Sequence, residues 1–324
     1  MQYIDTNLPK IIEARDIHYL FMRYIIKKKL NGSSFSESPP LSDMNQINKV
    51  GKISLLSQDV IDYLNDDDNL KKVLIGNPEE LDNIKAIFSS QTQVETIKKI
   101  INYESWIDIK EDSTYQKYNA YNLAEKLDIP TCIYCNRIYT KTVINSLGKK
   151  VIRPTFDHWY QKSIYPLLAL SFYNLIPSCN VCNSGVKGST PFLLSTHFHP
   201  YYKYPKKELK YTFSYDHEDY SKFTFKIVTN KGDVFSRNSV DAFELESIFK
   251  AHEDEIEDLR RIKDAYSEDY IKMLESNTLK GITLDRDEVY RLAFGVHFQE
   301  AKFDRRPMSK MKKDILIELG IIKP

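Results

Sequence analysis

The chain has 324 residues, 42% apolar and 28% charged, with a formal net charge of only +1. Its 22 tyrosines and 16 phenylalanines exclude an extensively disordered chain, and its overall charge does not mark a polyanion binder. No apolar run approaches the roughly 20 residues of a membrane-spanning helix, and the start, MQYIDTNLPKIIEARD, lacks the apolar stretch of a secretory leader. A cytoplasmic location without membrane contact is therefore expected, where cysteines stay reduced.

Residues 1–125 predict a mainly helical region. IIEARDIHYLFMRYIIKKKL spaces its apolar residues at helical period and ends in lysines that suit a helix C-terminus. NGSSFSESPPLSD reads as a loop. Further helices are expected near 57–75, 78–90 and 92–108, and AYNLAEKLDIP reads as a short helix ending before Pro130.

At residue 131 the period changes. CNRIYTKTVI and KKVIRPTF are rich in β-branched and aromatic residues, and NSLG between them predicts a hairpin turn. PLLALSFYNLIP predicts a short helix and then a short strand, and SCNVCNSGVKGS a second short helix or knuckle. ELKYTFSYDH, SKFTFKIVTN and KGDVF read as strands. Residues 241–277 read as one long amphipathic helix, and DEVYRLAFGVHF and MSKMKKDILIELGI as two more. The expected architecture is α+β: a metal-stapled module at 126–205 between the helical region 1–125 and strands and helices at 206–324.

All four cysteines fall in two C-x-x-C pairs, Cys132–Cys135 and Cys179–Cys182, and the chain has no other cysteine. Each pair can bring two sulfurs to one ion, and two pairs complete a tetrahedral zinc site with no open position for water. A redox C-x-x-C accounts for one pair but not for two. Between the pairs lies Asp157-His158. Residues 131–210 hold eleven Lys and Arg against two acids, so this segment carries +9 and the remainder −8. Such a patch attracts a polyanion even when the total charge is near zero. His197 and His199 read as structural, and Trp159, Tyr160 and Tyr165 as packing around a small core.

The order CIYC, FDHWYQKSIYP, NLIPSCNVCN and Lys187 resembles the HNH endonucleases, whose core is a ββα-metal module, here of the four-cysteine zinc type. The resemblance implies phosphodiester hydrolysis in nucleic acid, with DNA the expected substrate. It makes His158 the general base, and Asp157 and Asn183 the ligands of one catalytic divalent ion, usually magnesium. Asn174 would orient the loop or the histidine. Asn183 stands where many relatives carry a final histidine. Lys162 and Lys187 are candidate phosphate contacts. AYNLAEKLDIPTCIYCNRIYT, DAFELESIFKAHEDEIEDL and FDRRPMSKMKKDILIELG look like flanks of a bacterial subgroup. Some members of that group act in anti-phage defence, often beside an ATPase, so an ATPase partner is an expectation. Residues 1–110 match no family segment. The competing reading is a non-catalytic zinc module that binds nucleic acid or serves as an adaptor; residues 241–280, with twelve acids and six bases, would suit a protein partner.

Overall fold

The computed structural model describes residues 1–41, 57–107, 117–219, 222–265 and 285–323. Helix α1 (Pro9–Asn31) starts at a proline, which has no N–H to leave unpaired, and ends at Gly32, whose φ of 59° only glycine adopts freely. Its buried side includes Ile11, Ala14, His18, Met22, Ile25 and Ile26. The stretch expected as one helix over 57–75 is two, α2 (Gln58–Asn65) and α3 (Asp67–Ile75). Asp66 breaks it, because an extended Asp66 caps α3 by accepting from the Asn69 N–H at 2.8 Å. Capping boxes start α4 (Pro78–Ile84) at Asn77 and Glu80, and α5 (Gln91–Ile100) at Ser90 and Gln93. Helix α4 stops short of residue 90. A separate α6 (Tyr103–Ile107) follows α5, and residue 108 lies outside the described residues. Helix α7 (Ala120–Leu127) ends at a left-handed Asp128, two residues before Pro130. Helix α1 packs against α3, α5 and α7.

The hairpin expected from 135 to 156 is shorter. Only β1 (Val143–Ile144) and β2 (Lys150–Ile152) pair across the turn. Pro154 cannot donate to a ladder, and the chain beyond it forms a separate strand. That strand, β3 (Thr155–His158), pairs antiparallel with β4 (Leu175–Ser178), with Asp157 opposite Ile176 and His158 opposite Leu175. The connection 159–174 carries two 3-10 turns, Pro166–Leu168 and Phe172–Asn174, in place of the expected helix. After β4 the chain enters a π-helical segment, Val181–Lys187.

Strands β5 (Tyr211–Asp219) and β6 (Lys222–Thr229) form a third antiparallel pair. KGDVF is not a strand: Asp233 caps helix α8 (Val234–Asp241) by accepting from the Ser236 N–H at 2.9 Å. The long helix expected from 241 is interrupted twice: Glu244, with φ 45°, separates α8 from α9 (Leu245–Phe249), and a 3-10 turn at Lys250–His252 separates α9 from α10 (Asp254–Ala265); residues 266–277 lie outside the described residues. Gly295 stops α11 (Arg286–Phe294), and α12 (Ser309–Glu318) packs on β5. The protein is thus α+β with small antiparallel sheets. Buried side chains from Met1 to Leu319 form one contiguous apolar cluster. Among the described residues no helix is long and apolar enough to cross a membrane.

Candidate functional site

The two C-x-x-C pairs converge. The four Sγ atoms of Cys132, Cys135, Cys179 and Cys182 lie within 4.8 Å of one another, and all four residues are buried. Tetrahedral zinc with bonds of about 2.3 Å separates its sulfurs by roughly 3.8 Å, so the cluster fits a metal ion such as zinc with little movement. Each pair adopts a knuckle. The Arg137 N–H donates to Cys135 Sγ and the Cys182 N–H to Cys179 Sγ, both at 3.4 Å. Burial pushes the Cys132 thiol well above its ordinary value, and a bound cation is what lets such thiols ionise together. Asn136 follows the first pair with φ 51° and ties the knuckle to the carboxyl-terminal part. Its amide donates to the carbonyls of Phe303 at 2.8 Å and Arg306 at 3.2 Å.

Strands β3 and β4 stand between the two knuckles and carry the Asp-His dipeptide. Successive residues of a strand point to opposite faces, so Asp157 and His158 have different neighbours. His158 is buried, and its Nε2 lies 2.9 Å from the Ala169 carbonyl oxygen. A carbonyl only accepts, so Nε2 carries the proton and Nδ1 keeps the lone pair. Burial pulls the imidazole pKa down to about 3, with Lys162 and Lys187 adding to the effect; the ring is neutral at physiological pH. Tyr103 meets the ring edge to face at 4.4 Å, and the Lys162 ammonium sits 4.7 Å from the Tyr103 ring centre while pairing with Glu104.

Asp157 is enclosed. Its Oδ1 accepts from Lys187 Nζ at 2.9 Å and its Oδ2 from the Tyr134 hydroxyl at 2.6 Å. Lys187 also donates to the His158 carbonyl at 2.8 Å, and its side chain is 1% exposed. The sequence reading placed Lys187 on a phosphate; in the structure its ammonium faces inward. Asn174 holds the connecting loop. Its Oδ1 accepts from the Tyr160 N–H at 2.7 Å, and its Nδ2 donates to the carbonyls of Tyr160 at 3.0 Å and Leu168 at 2.9 Å. Asn183 is half-buried one position after Cys182. Its N–H donates to the Cys179 carbonyl at 3.0 Å, and its side chain makes no hydrogen bond among the described residues. The π-helical segment that holds Asn183 delivers Lys187, not Asn183, to the Asp157 carboxylate.

Three consecutive carbonyls of the loop each receive a side-chain donor: Leu168 from Asn174, Ala169 from His158, and Leu170 from His18 Nε2 at 2.7 Å. Sequence reasoning did not single out His18, Tyr134, Tyr103 or Asn136. Tyr134 lies inside the first C-x-x-C and Asn136 follows it, so proximity to the cysteines was their only signal. Ala169 acts through its backbone and left none. Comparison of the chain with protein-family models, with curated proteins and with solved structures finds no match.

Proposed function

We propose that the chain is an HNH-type endonuclease that hydrolyses phosphodiester bonds in nucleic acid, DNA being the first substrate to test, with His158 as general base. The observation that carries this reading is the His158 imidazole: neutral, pinned at Nε2 by Ala169, with Nδ1 unprotonated and making no hydrogen bond among the described residues. A neutral, oriented imidazole is what the abstraction of a proton from water requires. A hairpin followed at once by a helical segment, with a cysteine cluster at its base, supports the same reading. Lys162, part-exposed beside Tyr103, is the cation on the His158 side, and a phosphate reaching it would take the place of the Glu104 carboxylate.

Zinc is the metal proposed for Cys132, Cys135, Cys179 and Cys182; held by four thiolates it is a staple and supplies no chemistry. The catalytic divalent ion that the resemblance implies does not fit the arrangement around Asp157. Both oxygens of that carboxylate already hold donors, and a lysine ammonium is among them. The same observation favours a second reading, a non-catalytic zinc-stapled module that binds nucleic acid or a protein.

Incubating plasmid with the protein and a divalent salt, beside His158→Ala, separates the two. Loss of a general base lowers a rate by about 100-fold or more. The endonuclease reading expects that loss with metal content unchanged and the variant still folded, though less stable for want of the Ala169 contact. Equal cutting by both proteins eliminates it, and no cutting by either, with any partner protein supplied, leaves the module reading.

A further inference from the structure

The surface opens into a groove of about 1110 Å³, lined by Tyr3 and by residues from the segments 195–210 and 232–235. Lys203, Lys206, Lys207 and Lys210 line it. Two acids also line it, and both are engaged. Glu208 pairs with Lys210 at 3.0 Å, and Asp233 accepts from the Ser236 N–H at 2.9 Å. Lys207 donates to the Ser195 carbonyl at 2.6 Å and lies 5.6 Å from the Phe235 ring centre. Lys203 and Lys206 are exposed and make no ion pair among the described residues. Rings accompany the charges. Tyr3 is 41% exposed, and Tyr202 meets Tyr204 edge to face at 4.6 Å. Tyr204 is fixed from both sides, its hydroxyl donating to the His197 carbonyl at 2.6 Å and accepting from the His199 N–H at 3.0 Å.

We propose that this groove binds single-stranded nucleic acid. Lysines strung along eight residues match a repeated charge better than one compact anion, which calls for converging donors. Aromatic rings beside the lysines add what a polyanion alone does not use. Unpaired bases stack on such rings, whereas a duplex keeps its bases stacked on one another, and an acidic peptide has no flat bases. One wall of the groove is tied to the chain that carries His158. The Phe198 carbonyl in its wall accepts from the indole of Trp159, the neighbour of His158, at 3.2 Å. The inference rests on the endonuclease reading for its purpose, but it is measured by binding alone.

The test uses the full chain carrying His158→Ala, so that no strand is cut, and a fluorescent oligothymidylate of about 12 nucleotides, with anisotropy read over a range of salt. The strand should bind at least about tenfold more tightly than a duplex of equal length. Lys203→Ala with Lys206→Ala should weaken binding at least about tenfold and reduce the salt slope by about 1.4, two phosphate contacts at about 0.7 each. Tyr3→Ala should weaken binding by about fivefold or more with the slope unchanged, because stacking releases no counterions. Duplex binding equal to that of the single strand overturns the proposal. So does unchanged affinity in the double lysine variant or in Tyr3→Ala. Displacement of the strand by polyglutamate at equal charge concentration assigns the groove to acidic peptides and overturns it too. Binding as expected, with no cutting by the wild-type protein, leaves the groove standing and removes the nuclease. Cutting by the wild type, with binding unaltered in the groove variants, does the reverse.

Discussion

Asp157 is a carboxylate with a side-chain exposure of 3%, held by an ammonium that is itself 1% exposed. A buried pair of this kind contributes little net stability relative to apolar residues, but removing one partner strands the other charge. Lys187→Met should therefore destabilise the protein by about 3–5 kcal/mol, and adding Asp157→Asn should recover most of that loss. Urea unfolding of the two variants measures it. A single variant within about 1 kcal/mol of wild type would mean that water reaches the Asp157 carboxylate. Burial and the Asp157 charge both push the Tyr134 hydroxyl well above its ordinary value, so it remains the donor in this trio. Asp157 and His158 were legible as a pair because they adjoin in sequence between the cysteines. Their partners were not. Lys187 is 30 residues away, and its type fits a surface phosphate contact as well as a buried ion pair. Chain pattern does not say which way a lysine points.

At the scale of elements, the unit is the β3–β4 hairpin with the knuckle before it and the π-helical segment after it. Both cysteine pairs must close on one ion to hold these segments together, so metal binding and local folding are coupled. Cys179→Ser should lower the metal content of freshly purified, reduced protein, and it should expose Trp159, now buried against Phe192 and His199 of the chain that follows the second cysteine pair. Elemental analysis and tryptophan fluorescence check this. Wild-type protein free of zinc would remove the staple from the account. Helices were legible where caps and apolar period agreed, as at α1 and α7. Breaks were not. Asp66 and Glu244 sit inside good helical patterns and interrupt them through backbone angles that residue type does not dictate. The hairpin was misread across Pro154 because β-branched residues continue past it, while a ladder hydrogen bond cannot.

At the scale of the whole molecule, three histidines from distant parts of the chain are buried. Burial lowers the pKa of His18 to about 4 and those of His158 and His199 to about 3, from 6.5. Each folded value lies below the unfolded one, so unfolding takes up protons. The stability these groups contribute is complete above about pH 6.5 and is lost as pH falls toward the folded values. Three protons at about 1.4 kcal/mol each set a slope of at most about 4 kcal/mol per pH unit between about pH 6 and 4.5. Chemical denaturation at several pH values in that window reads the slope, and a flat profile would show that the histidines are hydrated in the folded protein. The three carbonyls at 168–170 bear on how the chain is made. Their donors come from positions 18, 158 and 174, and Leu170 follows His18 by 152 residues. A growing chain thus finishes its first helix long before the loop that helix must meet has been synthesised. The loop whose Ala169 carbonyl holds His158 thus gains its last donor only when the earliest and middle parts of the chain have joined, so the setting of that ring depends on the amino-terminal helix as well as on the cysteine module.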